Sequence, residues 1–141
     1  MSNPREKYAV DRVAEAQGDV VRVDDMEFIV RSASASNRKY RYALALAHDK
    51  RRAEAEGLPR GNLRAFELLD SSMIEAFADA VILGWNNVDG DDGKPLEFNR
   101  ANCVQLMEDC PLIWDAVREA ALDAERFKPL AREDGGELGK P

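Results

Sequence analysis

Leu63, Phe66, Leu69, Met73, Phe77 and Val81 follow one another at intervals of three or four residues. That spacing lines one side of an α-helix, and the segment is far longer than an ordinary strand. It predicts a helix that starts after the breaker GLPRGN and runs to a C-terminal cap at Gly84. Leu68, Ile74, Ile82 and Leu83 widen the stripe, so this helix is expected to meet neighbours on more than one side. A chain that makes such a helix must find cover for it, and the rest of the sequence is read for what that cover is.

Ahead of it, GDVVRVDDMEFIVRSAS contains two short runs in which Val21, Val23, Met26, Phe28 and Val30 share a face. Asp24 and Asp25 form the connection of a β-hairpin, without the glycine that favours the commonest such turn. Ser36 or Asn37 can cap a helix over residues 37–56, in which Tyr40, Ala43, Leu44 and Ala47 recur at helical spacing and Gly57 marks the stop. Its second half has almost no apolar face and is expected to project into solvent or to wait for a partner. Beyond Gly84 come an acidic loop, a short extended PLEF, and Asn99 as the cap of a helix that Pro111 must end or restart. A last helix over 112–127 offers Ile113, Val117, Ala120, Ala121, Ala124 and Phe127. The expected fold is α+β and mainly α, a small hairpin followed by about four helices. Residues 18–128 form its single globular domain, between a flexible arm (1–17) and a polar, disordered tail (129–141).

With 141 residues, 45% apolar and 33% charged, the chain suits one domain with a genuine core. No apolar run reaches the roughly 20 residues a membrane span needs, and MSNPREKYAV lacks the core of a signal peptide, so a soluble cytoplasmic protein is expected. The net charge of −7 argues against a nucleic-acid binder. That charge is concentrated at the end: residues 85–141 hold 13 acidic and 7 basic side chains.

The stretch WNNVDGDDGKPLEF has the look of a calcium loop. An EF-hand needs oxygen ligands at positions 1, 3 and 5, glycine at 6 and glutamate at 12. Counted from Asn87, position 6 is Asp92 and position 12 is Phe98; counted from Asp89, position 5 is Gly93 and position 12 is Arg100. Both registers fail, and a tight turn built on residues that tolerate left-handed backbone is the better reading. His48 is the single histidine and cannot head a zinc site alone. Ser71 and Ser72 lie inside the long helix, without the strand-to-helix elbow of a nucleophilic serine. Cys103 and Cys110, about 10.5 Å apart along one helix axis, are expected to be reduced and packed. No catalytic, metal or cofactor-binding residue is nominated, and a protein without enzymatic activity is expected.

Two features suit a partner. One is the basic cluster Arg38, Lys39, Arg41, Lys50, Arg51 and Arg52, able to meet an acidic surface, though a solvated helix face is the commoner meaning of such a run. The other is the pair Trp85 and Trp114, which core packing explains more readily than an exposed hot spot does.

Taken in order, residues 81–127 offer an apolar helix ending in Trp85, an acidic turn at Asp91, Asp92 and Gly93, the extended Pro95 to Phe98, a helix ending before Pro111, and a helix closing on Phe127. With FIVRSASASNRKYRYALA upstream, this order resembles the tail assembly chaperones of long-tailed bacteriophages and prophages over roughly residues 18–127. The resemblance implies a protein that needs no cofactor, works in the host cytoplasm and is absent from the virion. Such a chaperone coats the tape measure protein, keeps it soluble and helps recruit tail tube protein, in some cases self-associating. The resemblance also implies two lengths of product made by ribosomal frameshifting, with which Gly139 and Lys140 are compatible. The alternative is a small prophage-encoded regulatory or nucleic-acid-associated protein that uses the basic helix 38–52.

Overall fold

A computed structural model describes residues 3–4, 17–59 and 61–127; most of the expected arm and all of the expected tail lie outside these. Strands β1 (Asp19–Val23) and β2 (Met26–Val30) form the hairpin. Helices α1 (Arg38–Glu56) and α2 (Leu63–Ala80) follow, then strand β3 (Ile82–Asn86), helices α3 (Arg100–Asp109) and α4 (Pro111–Leu122), and a 3-10 turn over Ala124–Phe127. The class is α+β, mainly α, as expected.

Two elements differ from expectation: the last helix, expected over 112–127, ends at Leu122 and gives way to the 3-10 turn over Ala124–Phe127, and the long helix is shorter at its C-terminal end. The long helix ends at Ala80, and Ile82–Asn86 joins the hairpin as a third antiparallel strand in the order β1-β2-β3. Helical spacing continues through Val81 to Leu83, but β2 presents a free edge, and a two-stranded hairpin is marginal in water. The β-branched Val81 and Ile82 favour leaving the helix there. The β2–β3 register sets Phe28 opposite Trp85 and Ile29 opposite Gly84, with an irregularity between Ile29 and Val30. Gly84 is therefore a strand residue and caps nothing.

The hairpin turn uses Asp24 in the left-handed region (φ 56°), one of the few non-glycine residues that tolerate it. Asparagine opens three helices: the side chains of Asn37, Asn62 and Asn99 accept amide bonds from Tyr40, Arg64 and Asn102. Pro111 both stops α3 and starts α4, where its missing N–H costs nothing.

The core lies between one face of the sheet and helices α2, α3 and α4. Phe28, Val30, Phe77, Val81, Cys103, Met107, Val117 and Phe127 are fully enclosed. Edge-to-face aromatic pairs knit it together, Tyr40 to Phe77 (ring centroids 5.3 Å apart) and Phe77 to Trp114 (4.8 Å). Helix α1 packs chiefly on α2 and forms the outer layer.

Candidate interaction surfaces

The apolar stripe of α2 is covered over only part of its length. Ile74, Ala76, Phe77 and Ala80 are buried, whereas Leu63, Phe66 and Leu69 are 71, 65 and 56% exposed. An 18-residue helix is about 27 Å long, roughly the diameter of a small domain. The core stops near Asp70, whose carboxylate accepts the Trp114 indole N–H at 3.1 Å and meets Arg118 at 3.7 Å. Beyond that point only α1 accompanies α2. The sequence reading placed Leu63, Phe66 and Leu69 in the core; they are surface residues because nothing in the described chain reaches their side of the helix. The thin apolar face of the second half of α1 was the signal, since a helix without such a face cannot cover its neighbour.

On the α1–α2 seam, Ser72 is buried and donates to the Leu68 carbonyl at 3.0 Å, while Leu68 and Ala47 fill the contact. A shallow groove of about 310 Å³ runs beside this seam, lined by Leu68, Leu69, His48, Arg51, Arg52 and Ala55. His48 is exposed within it.

The basic cluster divides in two. Lys50 and Arg51 both bond the Glu75 carboxylate of α2, and Arg100 of α3 lies 3.6 Å from it. Arg52 pairs with Asp49 one turn away. Burial alone would raise the Glu75 pKa, but the hydrogen bonds and charges of Arg51 and Lys50 outweigh burial and hold it below the usual glutamate value. Arg38, Lys39 and Arg41, all exposed, have no ion-pair partner among the described residues. Lys50 and Arg51 thus tie α1 to α2, Arg52 pairs only within its own helix, and the other three cations have no ion-pair partner among the described residues.

Both tryptophans belong to the packing. Trp114 is 3% exposed. Trp85, on β3, is half-buried, donates to the Leu96 carbonyl at 2.9 Å and stacks edge-on with Phe98 at 4.9 Å. The acidic loop behind it is a tight reversal: Gly90 bonds Lys94, Gly93 bonds Gly90, and Gly93 takes φ +77°. This is a turn closed by a left-handed glycine, and the Asp92 carboxylate accepts the Lys94 amide at 3.0 Å. Among the described residues no three His, Cys, Asp or Glu side chains are grouped to hold a metal. Cys103 and Cys110 are free thiols, and burial pushes the Cys103 thiol up to about 12, out of nucleophilic range at neutral pH. No described helix is long and apolar enough to cross a membrane.

The domain is mainly helical and leaves the apolar stripe at the start of α2 uncovered by the described residues. The chain belongs to the YdaY prophage protein family, whose model matches residues 35–137, from the loop before α1 to beyond the 3-10 turn. No curated protein and no solved structure matches it.

Proposed function

We propose that this prophage protein is a tail assembly chaperone that binds the tape measure protein, keeps it soluble and helps recruit tail tube subunits. It acts by surface contact, without catalysis or cofactor. The observation that carries this reading is the bare stripe Leu63, Phe66 and Leu69. A tape measure protein is a long helical ruler whose apolar faces are exposed before the tube closes round it, and such faces aggregate unless covered reversibly. Three apolar side chains one turn apart on a projecting helix suit that task, because a helix docks on another through residues at this spacing. The family match supports the prophage setting, and the resemblance of residues 18–127 supplies the tail assembly role. Self-association through the same stripe is part of the proposal.

The alternative, a regulatory or nucleic-acid-associated protein using helix 38–52, is the weaker reading because Lys50, Arg51 and Arg52 are committed to Glu75 and Asp49. Co-expression with a fragment of the tape measure protein separates the two: the chaperone raises the soluble fraction of the fragment. Unchanged solubility, together with retardation of DNA at about 0.15 M salt, would replace this reading with the alternative. Gene order is a second check, since a tail assembly chaperone is encoded between the major tail protein and the tape measure protein.

A further inference from the structure

Helix α1 has a cost built into its first turn that nothing in the described chain offsets. Arg38, Lys39 and Arg41 stand at the N-terminal end, where the helix dipole is positive and acidic side chains are the stabilising choice; the first turn has none. These three cations are exposed and unpaired among the described residues. Between them and the next turns lie Tyr42 and Leu46, 68 and 48% exposed on the side of α1 turned away from the core.

A groove of about 360 Å³ starts here, lined by Lys39, Tyr42, Ala43, Leu46, Lys50 and Arg100. It lies across the α1–α2 seam from the groove of His48 and Leu69. The carboxylates Glu75 and Asp79 in its wall are met by three cations, Lys50, Arg51 and Arg100. The lining itself carries three cations, Lys39, Lys50 and Arg100, against those two carboxylates, an excess of one positive charge in a protein whose net charge is −7. An apolar floor with a cationic rim, in a chain that is otherwise acidic, is complementary to a helix or strand that alternates leucine-like and acidic side chains. Nucleic acid fits less well, because its phosphates find no use for the apolar Leu46 and Ala43.

We propose that the outer face of α1 is a docking site for an acidic amphipathic segment of a partner protein, with Tyr42 and Leu46 receiving its apolar side chains and Arg38, Lys39 and Arg41 its carboxylates. This surface is separate from the α2 stripe, and the proposal stands whether or not the chaperone reading does.

The test uses the full chain and a synthetic peptide of about 20 residues, long enough to hold helix, with leucine at every third or fourth position and glutamate on the flanks. A second peptide replaces each glutamate by lysine, and single- and double-stranded DNA of similar length complete the set. Titration by anisotropy should show the glutamate peptide binding at least about tenfold more tightly than the lysine peptide, and weakening as salt rises. The variant Arg38→Glu/Arg41→Glu should lose at least about tenfold of that affinity. Its thermal midpoint should be unchanged or raised, because acidic residues suit the first turn of a helix, so the loss cannot be ascribed to unfolding. Tyr42→Ala should weaken both peptides. Equal affinity for the two peptides, an unaffected charge-reversal variant, no measurable binding of the glutamate peptide, or preference for DNA would each overturn the proposal.

Discussion

Asn37 is 1% exposed and joins three segments. Its side-chain oxygen caps α1 through the Tyr40 amide (3.0 Å), and its NH2 group donates to the Ser32 carbonyl (2.8 Å) and to the Ala80 carbonyl at the end of α2 (3.0 Å). Asn37→Ala removes the cap and leaves two buried carbonyls without a donor, a loss of about 2–4 kcal/mol. Asn37→Asp keeps the cap but turns an acceptor on both carbonyls, and is expected to cost at least as much; urea denaturation measures both. Two glycines make a comparable pair. Gly18 and Gly93 both have positive φ, but a Cβ on Gly18 would lie 2.8 Å from the Val30 carbonyl oxygen, whereas one on Gly93 meets nothing within 4 Å. Gly93→Ala should cost about 1 kcal/mol for backbone strain alone and Gly18→Ala clearly more. The capping role of Asn37 was legible, because asparagine before an apolar periodic run is a helix start. Its grip on Ala80 was not, since no local pattern reveals a contact across 43 positions.

At the scale of elements, the α1–α2 seam is held by apolar contact and by Glu75. The unfolded chain binds a proton at this carboxyl more readily than the folded one, because the folded pKa is depressed. The contribution is therefore complete above the ordinary glutamate value of about 4.3 and disappears as pH falls through the lower folded value. Stability of the wild type should decline on acidification below about pH 4.5 more steeply than that of Glu75→Gln, read from denaturation midpoints across that range. The helices themselves were readable from spacing and caps, with α3 and α4 divided at Pro111 as anticipated. Strand β3 was not, because Val81, Ile82 and Leu83 satisfy a helical and an extended pattern equally; only the open edge of β2, a tertiary fact, decides between them. The same limit explains the misplaced half of α2. Periodicity reports which residues share a face and is silent on how far the neighbouring layer extends.

For the molecule as a whole, the division of labour follows from where the core ends. The sheet, α3, α4 and the second half of α2 form a closed body, and the first half of α2 extends from it with α1 alongside. The connector 87–98 and both tryptophans serve that body, so the motif that resembles tail assembly chaperones shapes the fold, while the proposed binding surface lies elsewhere. Phe66 and Leu69 can then be changed with little effect on folding: Phe66→Asp and Leu69→Asp should each alter stability by no more than about 0.5 kcal/mol, as exposed sites do, against several for Phe77→Ala in the core. The most direct test of the account is the soluble fraction of a tape measure fragment co-expressed with the wild type and with the double variant Phe66→Asp/Leu69→Asp, each first shown to be folded by its thermal midpoint. The account predicts that the wild type keeps the fragment soluble and co-purifies with it, and that the folded double variant does neither. A wild type that leaves the fragment insoluble, or a double variant that rescues it equally well, would contradict the account.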